Sequence, residues 1–333
     1  MNKLIHVTRA ALTVTRRRAG RGFCYFDADG NLICDTETKS RLKALGIPPA
    51  WEDVRIAHHP RAHIQAVGKD EAGRLQYIYH EAWEERRRRR KREHLQLLTT
   101  ALPAVRRRVV RDLGAETGSP ELALAIAVAL IDRSAMRVGR EKYLKTSGTR
   151  GAGTLYARDV RVRNGHVAMS FPAKSGKQAQ YDIADRRLAE AVQRIKTLTG
   201  RRLLVYRNGS GELRPITGDM INAYLAKAAE SPVTAKDFRT LHASALAGET
   251  LAAMEPGPSA TSRKRQMTAV TRQVAEFLQN TPAISRKSYI APCLFELFED
   301  GRLQRLWSRE GDRGPRGLRV REQRLGQVLA AVG

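Results

Sequence analysis

Tyr289 lies in the segment SRKSY, with Arg286 and Lys287 just before it and Asn280 nine positions upstream. A tyrosine so placed is either a packed aromatic or a phenol held near phosphate. In solution a phenol ionises near pH ~10 and is a poor nucleophile at neutral pH. It becomes useful when the electrophile is preactivated and its leaving group is protonated. The cationic side chains around Tyr289 point to an anionic electrophile, most simply a phosphodiester. Arg137, Lys174, Arg239 and Asn280 each have an ordinary structural explanation: a charge at a helix C-terminus, a turn residue, an ion-pair partner and a helix cap. Taken with Tyr289, they form the set that phosphoryl transfer needs. Two arginines grip non-bridging oxygens and stabilise transition-state charge. A lysine whose pKa is depressed by neighbouring cations protonates the leaving oxygen. A neutral amide adds a hydrogen bond.

The elements that must position these residues can be read from local pattern. Residues 1 to about 80 are β-rich: GFCYFD and NLICD alternate around the turn DADGN and are expected to pair, followed by VRIAHH, AHIQAVGKD and GRLQYIYH, with a short helix at KSRLKALG. EAWEERRRRRKREHLQLLTTAL has helical periodicity and carries the basic run Arg86 to Arg92, either a solvated helix face or the lining of a nucleic-acid groove. SPELALAIAVALIDRSAMRVG is expected to be a buried central helix, with Ser119 as N-cap, Pro120 at its first position, Arg137 in its last turn and Gly139 as terminator. One β patch comes next, with a tight Asn164-Gly165 turn and Lys174 in a second turn. Helices then resume, and the Arg/Gly-rich stretch RGPRGLR is expected to be loose. The division expected is a β-rich N-terminal domain, residues 1–90, and a mainly helical domain, residues 91–333.

Composition narrows the partner. Among 333 residues, 60 Lys and Arg stand against 34 Asp and Glu, a net charge of +26 that calls for a polyanion. No apolar run approaches the ~20 residues of a membrane span, and no signal-peptide core, Walker loop or GxGxxG loop is present, so neither membrane nor nucleotide is expected. Cys24 and Cys34 flank the expected hairpin, and a reduced pair is the expectation in a cytosolic protein. His58, His59 and His63 lack partners for a metal site, and DADGN departs from a calcium loop.

The motifs GKDEAGRLQYIYH, RVGREKY, AKSGK, TAKDFRTLHAS and LQNTPAISRKSYI together resemble, in the same order, those of the type IB DNA topoisomerases in their compact bacterial and poxviral form. The resemblance covers nearly the whole chain. It implies an α+β protein: a small β-rich N-terminal domain and a larger mainly α catalytic domain of the tyrosine recombinase/type IB topoisomerase kind, with a small three-stranded β patch. It implies Tyr289 as nucleophile, Arg137 and Arg239 as phosphate clamps and Lys174 as general acid. Asn280 stands where many members carry histidine, which keeps phosphate binding and removes proton transfer. Arg74, Gln76 and Tyr77 match residues that meet DNA in the viral enzymes, Tyr143 a tyrosine near the DNA, and Lys236 a lysine that assists. The activity implied is relaxation of positive and negative supercoils through a 3′-phosphotyrosine, without ATP, metal or other cofactor. The chain would act as a monomeric clamp on duplex DNA, in the cytoplasm and at the nucleoid. Two alternatives are a tyrosine site-specific recombinase, which usually has histidine where this chain has Lys236, and a non-catalytic DNA-compacting protein.

Overall fold

The computed structural model describes residues 3–173, 176–198, 200–308 and 319–332. The chain is α+β and divides into two compact units, Met1–Arg90 and Lys91–Gly333.

The first unit is built on a five-stranded antiparallel sheet. Its strands are β1 (Val14–Ala19), β2 (Gly22–Phe26), β3 (Glu52–Ile56), β4 (Ile64–Lys69) and β5 (Leu75–Tyr79), in the order β2-β1-β3-β4-β5, and α1 (Thr36–Ala44) lies between β2 and β3 in the chain. Val14, Tyr25, Val54, Ile56 and Ala66 pack with Leu42 of α1, and a smaller cluster gathers Leu12, Ala57, Ala62 and Val67. The expected pairing of GFCYFD with NLICD is short: a Phe26–Leu32 antiparallel bridge flanked by the Ile33 amide donating to the Tyr25 carbonyl at 2.9 Å and the Asp27 amide donating to the Asn31 carbonyl at 3.0 Å. β2 pairs with the preceding strand, Cys24 opposite Arg17, because Gly20 (φ +54°) turns the chain directly after β1. In the DADGN turn the Asp27 carboxylate accepts from the Asp29 and Asn31 amides. Cys24, Cys34 and Cys293 are all free.

From here α2 (Glu81–Asp112) runs for 32 residues through the basic stretch and Pro103. Arg86 to Arg90 are exposed, with Arg87 and Arg88 paired to Glu84 and Glu85 at 3.2 and 2.6 Å. Such solvated i,i+3 pairs stabilise the helix weakly.

The second unit is organised around α3 (Pro120–Ser134) and α7 (Ala235–Ala252). Between them lie α4 (Glu141–Ser147), β6 (Val160–Arg163), β7 (His166–Pro172), β8 (Gln178–Ala184), α5 (Arg186–Lys196), β9 (Val205–Arg207), β10 (Leu213–Pro215) and α6 (Gly218–Ala229). After α7 come α8 (Ala260–Phe277), α9 (Pro282–Ser288), α10 (Pro292–Glu299), α11 (Leu303–Trp307) and α12 (Val320–Ala331). α3 is capped by Ser119, whose hydroxyl accepts from the Leu122 amide at 3.2 Å. Its AIAVALI stretch is fully buried against α5, α6 and α7, as expected of a helix apolar on all sides.

α3 ends earlier than its periodicity predicts. Ser134 donates back to the Leu130 carbonyl and Ala135 turns left-handed (φ 52°), so Arg137 lies beyond the helix rather than in its last turn. β6, β7 and β8 form the expected three-stranded antiparallel sheet, with Asn164 (φ 51°) and Gly165 (φ 78°) at the first turn. A second hairpin, β9–β10, was not anticipated; Asn208 makes its turn by accepting from the Glu212 amide at 2.9 Å. Residues 313–318 of RGPRGLR lie outside the described residues, and Arg319 leads directly into α12. α12 buries Leu325, Val328 and Leu329 on its α7 side, each such side chain stabilising by about 1.5–3 kcal/mol. No helix among the described residues is long and apolar enough to cross a membrane.

Candidate active site

α7 carries Arg239 inward, 3% exposed, to where two other helices end. Its Nη1 donates to the carbonyl of Ala135, the residue that terminates α3, and its Nη2 donates at 3.0 Å to the carbonyl of Leu278, which caps α8. Terminal helix carbonyls lack intrahelical donors and carry the negative end of the dipole, so one planar guanidinium satisfies both. The two chain ends it holds lead, within two residues each, to Arg137 and Asn280. Arg137 Nη2 then donates to Asn280 Oδ1 at 3.2 Å, which closes the ring.

Each of those side chains is fixed from behind. The Arg137 carbonyl accepts from the Ala152 amide at 2.9 Å and the Val138 carbonyl from the Gly153 amide at 2.7 Å. Gly151 is required by this close approach, since a Cβ there would collide with the Arg137 carbonyl and the Gly139 backbone. Asn280 follows Gln279, which takes the left-handed conformation (φ 50°) expected of a helix-terminating residue, and the Asn280 amide closes α8 on the Ala275 carbonyl at 2.8 Å.

Tyr289 terminates α9, half-buried, with the Arg239 guanidinium 4.9 Å from its ring centroid. Its main chain is held by two residues that sequence reasoning did not identify. Ser244 on α7 donates to the Tyr289 carbonyl at 3.1 Å and accepts from the Ala291 amide at 3.0 Å, while Lys91 Nζ donates to the Ile290 carbonyl at 2.8 Å. Ser244 lies inside the TAKDFRTLHAS motif, but no spacing rule distinguishes it from a packed helix serine. Lys91 is hidden in the basic run of α2.

The electrostatics are one-sided. Among the described residues neither Arg137 nor Arg239 has a carboxylate partner. Burial, and then the like charge of Arg137, pull the Arg239 guanidinium below its ordinary pKa. Arg239 Nε and Asn280 Nδ2 are buried donors without acceptors. Two uncompensated cations and two unsatisfied donors around one point are stabilised by an anion with several acceptor oxygens, which describes a phosphodiester.

Of the remaining residues singled out, Lys174 lies outside the described residues; the Ala173 amide donates to the Lys177 carbonyl at 2.7 Å. Lys236 is exposed, one turn before Arg239 on α7, and Tyr143 on α4 is 53% exposed. In the first unit, Arg74 and Gln76 both bind the Asp70 carboxylate, at 2.8 Å each, and Tyr77 stacks on Tyr79 with centroids 5.9 Å apart. The hydrogen bonds and charge of Arg74 hold Asp70 down at about 2. Both head groups thus share one carboxylate, and the Arg74 side chain remains largely exposed. No group of three His, Cys, Asp or Glu that could hold a metal occurs among the described residues.

The family described as the catalytic core of eukaryotic DNA topoisomerase I matches residues 80–292, a span that contains Arg137, Arg239, Asn280 and Tyr289. The chain belongs to the type IB DNA topoisomerases. The N-terminal domain of bacterial DNA topoisomerase IB matches residues 22–70. A DNA topoisomerase 1B of Acanthamoeba polyphaga mimivirus is 27% identical over 294 residues, covering 86% of this chain and 88% of the relative. This type IB topoisomerase is thus an isomerase whose substrate is duplex DNA.

Proposed function

We propose that this topoisomerase cuts one strand of duplex DNA by transesterification through Tyr289 and relaxes supercoils of both signs without ATP or a metal ion. The Tyr289 oxygen attacks the scissile phosphorus, the bond to the 5′-oxygen breaks, and the 3′-phosphate remains on the tyrosine. The departing 5′-oxygen takes a proton from Lys174, and the phenol proton passes to solvent. The phosphodiester is exchanged for a phosphotyrosine ester rather than hydrolysed, so religation is the same step in reverse and needs no nucleotide. Arg137 and Arg239 supply the positive charge that metals supply in other phosphoryl transfers, and Asn280 Nδ2 adds a neutral hydrogen bond.

The observation that carries this reading is the convergence of Arg137 and Arg239, without a carboxylate partner among the described residues, beside the ring of Tyr289. Tyr77, Tyr143, Lys236 and the Arg74–Gln76 pair extend the contact along the duplex, with a single chain taking hold through both units as a monomeric clamp. Backbone neutralisation on that scale makes binding steeply salt-dependent. The enzyme would act on chromosomal DNA in the cytoplasm.

Relaxation of negatively and positively supercoiled plasmid, in EDTA and without ATP, tests the reading. Wild type should relax both, and Tyr289→Phe should bind DNA and relax neither. Relaxation by Tyr289→Phe would remove Tyr289 as nucleophile. Binding without relaxation by either protein would favour a DNA-compacting role, and strand exchange between duplexes a recombinase.

A further inference from the structure

We infer that Asp70 is a specificity-determining residue, whose carboxylate positions the Arg74 and Gln76 head groups as one unit that reads neighbouring bases in the major groove. The inference deepens the duplex contact proposed above for the Arg74–Gln76 pair and rests on it.

Asp70 begins the turn from β4 to β5. The Gly73 amide donates to the Asp70 carbonyl at 2.8 Å, and Gly73 (φ +69°) carries the chain back. The carboxylate divides its two oxygens between two tasks. Oδ1 accepts from the Ala72 and Arg74 amides, at 3.1 and 2.9 Å, and so closes the turn. Oδ2 has no part in the turn. It accepts from Arg74 Nε at 3.0 Å, from Arg74 Nη2 at 2.8 Å and from Gln76 Nε2 at 2.8 Å. Main-chain amides thus fix one oxygen, and the other fixes two side chains. The Asp70 side chain is 17% exposed and that of Arg74 73%, so the carboxylate is a sheltered anchor for an exposed head group.

What remains of the two head groups is a reading edge. Both bonds to Arg74 fall on its Nε–Nη2 side, which leaves the Nη1–Nη2 end of the guanidinium to bond elsewhere. Gln76 gives one Nε2 hydrogen to Asp70 and keeps the other beside Oε1. Two parallel donors match O6 and N7 of guanine, and an acceptor beside a donor matches N6 and N7 of adenine. β5 ends the sheet order β2-β1-β3-β4-β5, and a two-stranded ribbon such as β4–β5 is a shape that the major groove admits. The Asp70 charge repels phosphate and so opposes binding; what it provides is head groups ordered before the duplex arrives.

Because the turn and the head groups use different oxygens, the two roles can be separated. Asp70→Asn keeps an oxygen for the Ala72 and Arg74 amides, which select that orientation, and places an NH2 where Oδ2 now accepts. A donor there faces the donors of Arg74 and Gln76, so the head groups are released while the turn is retained.

The test is selection from a pool of duplexes randomised across the bound footprint, with affinity and melting temperature measured separately. All proteins carry Tyr289→Phe, so binding is read without cleavage. The Tyr289→Phe protein should favour guanine at one position and adenine at a neighbouring one, each by about fivefold or more. Adding Asp70→Asn should bring both preferences below about twofold, at unchanged melting temperature, while loss of a negative charge raises overall affinity. Asp70→Ser, whose hydroxyl closes the same turn without reaching the head groups, should behave alike. Arg74→Ala should lose the guanine preference and keep that for adenine. Asp70 variants that gain affinity and keep both preferences would overturn the inference and leave the Arg74 contact in place. Absence of any base preference in the Tyr289→Phe protein would overturn it as well. If Arg74→Ala matches its parent in affinity and preference, the duplex contact itself fails, and the inference with it. None of these results bears on Tyr289 as nucleophile, which the plasmid assay tests.

Discussion

Arg137 Nη2 donates to Asn280 Oδ1 across 3.2 Å, and this bond fixes which end of the amide faces the site. With the oxygen occupied by the arginine, Nδ2 is presented as a donor and has no other acceptor. Asn280→Asp retains the partner for Arg137 but replaces the donor with a charged oxygen that repels phosphate. Its cleavage rate should fall by about a hundredfold or more, beyond the loss of one hydrogen bond. Asn280→His restores a donor and should stay within about tenfold of wild type. Single-turnover cleavage of the two variants decides the matter, and equal rates would contradict this orientation of the amide.

Arg239 bonds the end carbonyls of α3 and α8 with separate nitrogens of one planar group. A lysine has the charge but not the fork. Arg239→Lys should therefore lose about two orders of magnitude or more in cleavage. It should also lose about 1–3 kcal/mol in denaturant unfolding, from a buried carbonyl left unpaired.

Ser244 grips the main chain on both sides of Ile290, through the Tyr289 carbonyl and the Ala291 amide. Ser244→Ala removes both bonds without touching DNA. Cleavage should slow by about tenfold or more through misplacement of the phenol, with duplex affinity unchanged. Equal losses in affinity and rate would show that Ser244 has a different role.

α12 is pinned by a buried ion network. Arg106 on α2 binds Asp132 of α3 and Glu322 of α12, with both carboxylates buried and each pair at 2.8 Å. Burial opposes the charged form of Glu322, but Arg106 outweighs it and holds the pKa below the ordinary carboxylate value. A depressed carboxylate contributes stability that is present above its unfolded pKa and lost as pH falls through the folded one. Acid should therefore destabilise wild type below about pH 4, and Glu322→Gln should flatten that dependence in thermal melts. Glu322→Ala should cost about 3–5 kcal/mol at neutral pH, because a buried guanidinium loses a carboxylate.

The cysteines should differ in reactivity. Burial pushes the Cys293 thiol up to about 11, whereas Cys34 is exposed. At pH 8 only about 0.1% of a thiol with that pKa is thiolate. Disulfide-reagent titration of the native protein should label Cys34 quickly and Cys293 only on unfolding. The raised pKa also means that the buried thiol's contribution to stability fades as pH rises from about 8.5 towards 11.

Local chemistry alone determined the secondary elements that carry their own signals. Ser119 with Pro120 starts α3, Asn164-Gly165 turns β6 into β7, and the helical segments of α5 to α8 each carry their periodicity, because capping, turn conformation and amphipathic repeat act within a few residues of the chain. The types of the site residues and their order were equally visible. Their assembly was not. α3 stops at Ser134 because a side chain bonds back to Leu130 and Ala135 turns, which releases Arg137 from the helix on which its spacing placed it. β2 pairs along its length with β1 across the Gly20 turn and meets NLICD only at the Phe26–Leu32 bridge. α12 is a helix because α7 offers an apolar face and Arg106 offers a charge to its Glu322. Arg239 joins Arg137 to Asn280, and Ser244 holds the main chain at Tyr289, through contacts between segments far apart in sequence. Those contacts exist only when α3, α7 and α8 are packed, and packing is a property of the whole fold.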